Sequence, residues 1–229
     1  FARTGGEACA IAIRIARAAS NKDHIAFCGY HGWHDWYLSS NISDKSNLSG
    51  QLLPGLDPAG VTSELVNTAH PFYYDNIESF YKIFDKYSEK IGTIIMEPQR
   101  NESPSYKFLK EIRDFADKKN IVLIFDEVTS GFHNNYGGIH LDININPDIA
   151  IFAKAMGNGY PISSVIGKKS VMDSAQTTFI SSTMWTERVG FSAALACLDK
   201  MEKYNVQNDL VVYGKLLKKG WQKISKESK

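Results

Sequence analysis

The sequence predicts an α/β fold in which a mostly parallel central sheet carries helices on both faces. Three observations predict it. Short, nearly continuous apolar runs recur along the chain, as in "HIAFC", "GTIIMEP", "IVLIFDEV" and "DIAIFAK". Segments with helical spacing of apolar residues alternate with them. Charged residues gather where the runs end. A strand buried on both faces reads as an unbroken apolar run, and a parallel sheet covered by helices requires such strands. Ligands of these sheets bind beyond the carboxyl ends of the strands. Function is therefore sought at Glu97, at Asp126 and Glu127, and at Lys154.

Each element follows in order. Residues 7–19 place apolar side chains at 8, 11, 12, 15, 16 and 19, the stripe of a buried helix. Residues 24–28 form a short apolar strand. Residues 36–70 are rich in Ser, Asn, Gly and Pro without clear periodicity, and read as a long loop of the kind that shapes access to a site. A helix over 76–91, a strand over 92–98 and a helix over 105–120 come next. Strands follow at 121–128, 148–154 and 162–169, then a helix at 189–204. The lysine-rich end, "GKLLKKGWQKISKESK", reads as a solvated amphipathic helix.

Bulk properties narrow the class. The 229 residues are 43% hydrophobic and 22% charged, an ordinary globular balance. A net charge of +1 supplies no basic field, so no nucleic-acid partner is expected. No run approaches the roughly 18 apolar residues of a membrane span. Cys9, Cys28 and Cys197 show no CxxC spacing, and Cys9 and Cys197 lie inside helical patterns as core thiols do, which suits a reducing cytoplasm. The chain opens without Met inside "FARTGGEAC", as a piece of a longer polypeptide would.

The strand ends carry the chemistry. Asp126 emerges from a buried strand, and a buried carboxylate needs a partner. It suits a metal, a histidine to be oriented, or the protonated ring nitrogen of a cofactor. Thr4, Gly5 and Gly6 stand directly before a long helix, where free backbone amides and the helix dipole favour a phosphate. The P-loop pattern G-x-x-x-x-G-K-[ST] is absent, so this is not a Walker site. A phosphate cradle, a buried acid and a strand-end lysine are together what pyridoxal 5'-phosphate requires. Its aldehyde forms a Schiff base with a lysine, its ring nitrogen pairs with a carboxylate, and its phosphate takes a helix N-terminus. "GYHGWHDW" supplies aromatic side chains, among them Tyr30 and Trp33, to cover the ring.

Six motifs occur here in one order: "TGGEACAIAIRIARA", "GYHGWHDW", "IIMEP", "IFDEVTSGF" with "YGG", "FAKAMGNGYP", and "STMWTERVGFSAALACL". In that order the sequence resembles the class III aminotransferases, fold-type I pyridoxal-phosphate enzymes, with the nearest likeness to the glutamate-1-semialdehyde 2,1-aminomutase branch. The likeness runs from residue 1 to about 204 and is least specific over 36–90. It implies a large cofactor-binding domain over 1–204, lacking an N-terminal part, and the start of a truncated small domain or helical linker over 205–229. It implies that Gly5 and Gly6 bind the phosphate, Tyr30 stacks on the ring, Val128 covers its other face, Asp126 pairs with the ring nitrogen and Lys154 forms the Schiff base. Thr183 would reach the phosphate of a neighbouring subunit in a homodimer whose active site lies at the interface. Glu97, Trp33 and His133 are weaker candidates for substrate contact or gating. The expected activity is amino transfer from a small-molecule donor to a carbonyl acceptor, or between neighbouring carbons in a mutase.

The chain departs from that branch in three places. Gly157-Asn158-Gly159-Tyr160-Pro161 replaces a Gly-Gly-Gly-Leu-Pro type of turn, His133 stands where an arginine is usual, and Met184 to Arg188 replace Ser-Gly-Asn-Pro. Two other classes stay in view. His31, His34 and Asp35, with His24 upstream, lie close enough in sequence for a metal-dependent hydrolase. A non-catalytic binding module would keep the fold without turnover.

Overall fold

The computed structural model describes residues 1–51, 55–101 and 103–227. Six strands form one sheet in the order β2-β1-β3-β4-β5-β6. Helix α1 (Gly5–Ser20) leads into β1 (His24–Cys28). Two single-turn helices follow, α2 (Asp35–Leu38) and α3 (Ser40–Ser43). The chain then returns through β2 (Ala69–Pro71), α4 (Ile77–Tyr87), β3 (Ile91–Met96), α5 (Tyr106–Lys119) and β4 (Val122–Asp126). Helix α6 (Ile139–Ile143), β5 (Ile149–Phe152), β6 (Ser164–Gly167) and α7 (Lys169–Met172) come next, and α8 (Arg188–Tyr204) and α9 (Val206–Glu227) close the described chain.

β1 to β5 are joined by parallel pairings, with Ile95 beside Ile124 and Phe125 beside Ala150 in register. β6 runs antiparallel to β5. The mostly parallel α/β sheet expected from the sequence is therefore present.

Successive strand residues point to opposite faces, and both faces are dry. Ile25, Phe27, Ile95, Ile124, Ile149 and Ile151 meet the apolar stripe of α1, including Ala8, Ala12, Ile15 and Ala16. Ala26, Cys28, Ile94, Met96, Leu123 and Phe125 meet α4 and α5 through Phe80, Phe84, Phe108, Leu109 and Ile112. This double coverage is why the strands are apolar throughout. Caps fix the helix ends: Ser105 accepts from Phe108 N at the start of α5, and Asn21, Asn120 and Asn205 take left-handed conformations after α1, α5 and α8.

The stretch 36–70 differs from the loop expected there. It holds α2 and α3, a 3-10 turn at Ser63–Leu65 and the start of β2, while residues 52–54 lie outside the described residues. β2 has only three residues and ends in Pro71, which suits an edge position where the missing N–H is not needed. Among the described residues no helix is long and apolar enough to cross a membrane.

Candidate active site

The carboxyl ends of β1, β3, β4 and β5 open into one cavity of about 380 Å³. Asp126, Lys154, Tyr30, Glu97, Val128, Gly5, Gly6 and Trp33 all line it. That size is within the range of small-molecule sites.

Asp126 is the last residue of β4 and is 2% exposed. Its Oδ1 accepts from Val128 N at 3.0 Å. Its Oδ2 accepts from the Cys9 thiol at 3.2 Å and faces His31 Nδ1 at 2.8 Å. His31 Nε2 lies 3.1 Å from the Cys28 carbonyl oxygen, which only accepts, so Nε2 donates there. His31 Nδ1 is thereby directed at Asp126 with a proton shared between them. Burial, reinforced by Asp126, pushes the Cys9 thiol well above its usual range and keeps it a donor. Cys9 thus serves more than the core packing expected of it. Glu127, next in sequence, turns away: it accepts from Ile139 N and His140 N and holds the turn before α6.

The start of α1 presents a donor pair. Thr4 is the N-cap; its Oγ1 accepts from Glu7 N, and Glu7 Oε2 accepts from Thr4 N and Arg3 N. This capping box spends its own amides and leaves Gly5 N and Gly6 N without partners among the described residues. Both glycines lie inside the first helical turn rather than ahead of it. A Cβ on Gly5 would come within 2.8 Å of the Val128 side chain. The loop after β1 comes just as close: Gly32, at φ +92°, would bring a Cβ within 2.9 Å of Gly6 Cα. Only glycine fits there, on conformational and steric grounds. Two backbone segments therefore meet closely at the start of α1, where the two unpartnered N–H groups belong to residues that line the cavity.

Lys154 lies two residues beyond β5, in a 3-10 turn, with φ +40°. A non-glycine residue in that region is held by its surroundings. Gly157 N and Asn158 N both donate to its carbonyl, and its Nζ donates to Thr129 Oγ1 at 2.8 Å. β4 and β5 are neighbours, so the acid and the amine come from adjoining strand ends.

Glu97 follows β3 and is 1% exposed. Its Oε2 accepts from Tyr30 N at 3.0 Å and its Oε1 from Arg100 Nη1 at 2.6 Å. Burial, then the nearby Asp126, raises its carboxyl above the ordinary range. Tyr30 and Val128 stand on the cavity wall, while Trp33 reaches its rim, 71% exposed.

His133 and Thr183 do not line this cavity. Thr183 sits in an exposed turn between β6 and α8. The hydrolase grouping does not form: His31 is buried against Asp126, Asp35 is exposed, and His24 pairs with His70 at 3.0 Å at the opposite end of β1. Sequence reasoning missed Cys9 and His31 as partners of Asp126, Thr129 as partner of Lys154, and Arg100. The demand of a buried carboxylate for donors was the available signal, but it does not say where in the chain they lie.

The whole chain, residues 1–229, matches the family model described as aminotransferase class-III. It is 30% identical to the 3-aminobutyryl-CoA aminotransferase of Cloacimonas acidaminovorans, over 99% of this chain and 52% of that protein. It is 32% identical to a glutamate-1-semialdehyde 2,1-aminomutase of Sulfurihydrogenibium sp., over 100% of this chain and 54% of that one. The solved structure of the PLP internal aldimine form of the FumI protein of Sphingopyxis sp. MTA144 superposes with a TM-score of 0.84 at 22% identity, covering 98% of this chain and 52% of the other. The chain spans about half the length of the curated relatives it matches.

Proposed function

Because the chain belongs to the class-III aminotransferase family, we propose that it holds pyridoxal 5'-phosphate and moves an amino group between small molecules. The observation that carries this reading is the convergence of Asp126, Lys154 and the free amides of Gly5 and Gly6 on one cavity. The donor set fits the cofactor: two N–H groups for a phosphate, a buried carboxylate for a ring nitrogen, an amine for an aldehyde, and Tyr30 and Val128 as walls.

When bound, the cofactor supplies an aldehyde that takes up the amine and a ring that withdraws electrons from the substrate carbon. Gly5 N and Gly6 N bind the phosphate, aided by the positive end of α1. Asp126 is fixed by Val128 N, Cys9 and His31, and so holds a positive ring nitrogen without reorganising. Lys154 Nζ anchors the cofactor at rest. The same nitrogen, when free, would be the base that takes the proton from the substrate's amine-bearing carbon and gives it back. Thr129 Oγ1 orients Nζ for this work.

Residues 1–204 form the cofactor-binding unit in this reading, and α9 opens a further small domain; its Leu217, Trp221 and Ile224 are exposed here. The active form is a homodimer in the cytoplasm, to which each copy lends Thr183 for the phosphate of the other. The donor is a small amine and the acceptor a carbonyl compound. A mutase, which would return the amine to the neighbouring carbon of the same molecule, is the second reading, favoured by the likeness to the aminomutase. Added to the purified protein, pyridoxal 5'-phosphate is expected to give a saturable visible absorbance that a primary amine then discharges. Absence of a protein-dependent spectrum would refute the reading.

A further inference from the structure

We infer that Cys9, His31 and Asp126 bind a zinc ion in the cofactor-free protein, and that zinc held there shuts the cofactor out. The three side chains come from α1, from the loop after β1 and from the end of β4. Cys9 Sγ, His31 Nδ1 and Asp126 Oδ2 all lie within 4.8 Å of one another. Thiolate sulfur, imidazole nitrogen and carboxylate oxygen are the ligand types that zinc takes. Each residue is at most 2% exposed, yet all three line the cavity, so an ion reaches them from there. Three protein ligands with the cavity beyond them leave the fourth position to a water molecule. Of the sequence grouping His31, His34 and Asp35, this site shares only His31.

The surroundings are those of a ligand set. A metal-bound imidazole is oriented by a hydrogen bond from its other nitrogen, and a ligating carboxylate is itself hydrogen-bonded. Here His31 Nε2 donates to the Cys28 carbonyl at 3.1 Å, which turns Nδ1 to the site. Val128 N donates to Asp126 Oδ1 at 3.0 Å, which leaves Oδ2 for the ion. Charge also balances. At rest the cluster holds two protons, one on the Cys9 thiol and one between His31 Nδ1 and Asp126 Oδ2. One Zn²⁺ replaces both, and the two protons leave for solvent. The site keeps its net charge, so the exchange avoids adding charge to a dry interior. The geometric demand is small. Oδ2 lies 2.8 Å from Nδ1 and 3.2 Å from Sγ. Ligand atoms about 2.0–2.3 Å from a tetrahedral zinc stand roughly 3.3–3.6 Å apart, so the three open by about half an ångström. Oδ2 then serves the metal and not a ring nitrogen. Only this exclusion rests on the function proposed above; the metal site does not.

The test titrates chelator-stripped, cofactor-free protein with Zn²⁺ against a chromogenic chelator. It is repeated with Co²⁺, whose bond to a thiolate gives a charge-transfer absorbance in the near ultraviolet. One zinc per chain is expected, with a Kd of roughly 1 µM or tighter, and one cobalt should bring up the thiolate band. Cys9→Ala should remove the band and weaken zinc by at least about 100-fold, since losing a ligand costs more than losing its support. Cys197→Ala and His24→Gln, both away from the cluster, should change neither reading. Wild-type protein that takes up no zinc or shows no thiolate band would overturn the inference, as would a band that survives Cys9→Ala. The wild-type spectrum needs no variant, so the inference can fail even where Cys9→Ala does not fold. One equivalent of zinc should also suppress the visible absorbance given by pyridoxal 5'-phosphate, and a chelator should restore it. Zinc uptake beside an undiminished cofactor spectrum refutes the exclusion. Zinc uptake where no cofactor spectrum ever forms refutes the proposed function and leaves the metal site standing.

Discussion

Lys154→Ala is expected to lower amino transfer by about 10³-fold or more, because the proposed function makes its amine the base that moves the substrate proton. The fold should survive. Lys154 is exposed, and its one side-chain hydrogen bond is to Thr129. Alanine at φ +40° is no worse placed than lysine, because both carry a Cβ. The variant should therefore melt close to the wild type while losing turnover. An enzyme assay beside a thermal melt checks this, and turnover within a few-fold of wild type would remove Lys154 from the mechanism.

Asp126→Ala should damage both chemistry and fold. Asp126 and His31 are 2% and 1% exposed, and they share a 2.8 Å contact. Deleting the carboxylate strands the imidazole Nδ1 and the Cys9 thiol without an acceptor in a dry interior. Breaking a buried pair in this way costs about 3–5 kcal/mol. For a chain of this size that corresponds to a fall of roughly 10 °C in melting temperature. In the proposed function the change also removes a preorganised anion from the ring nitrogen, which should slow amino transfer by roughly 10²- to 10³-fold. Asp126→Asn keeps the shape and an acceptor oxygen, so it should recover much of the stability and little of the rate. A variant Asp126→Ala that melts with the wild type would show that the His31 contact carries no weight.

The fold was legible where physics writes it locally. Strands 24–28 and 121–128 had to be apolar on both faces, and α1 had to show a stripe, because each is covered from the side its pattern indicates. β2 was not legible: three residues are too few to establish a period, and they follow a polar stretch. The direction of β6 was not legible either, since an antiparallel edge strand has the same local pattern as a parallel one. At the site, Asp126 and Lys154 stood out because a charge at the end of an apolar run is costly unless used. Their partners did not stand out. Cys9 and His31 lie 117 and 95 residues from Asp126 in sequence, and only the closed sheet brings them together. Arg100 was equally hidden, because an arginine after a strand looks like surface until Tyr30 and Glu97 are seen to hold it.

The most direct test of the whole account is chemical capture of the lysine. The protein is mixed with pyridoxal 5'-phosphate, reduced with borohydride, digested and mapped by mass spectrometry. The account predicts one dominant site of attachment, on the peptide carrying Lys154, and its disappearance in Lys154→Ala without transfer of the label elsewhere. Label spread over surface lysines such as those of α9, or label undiminished in the variant, would contradict it.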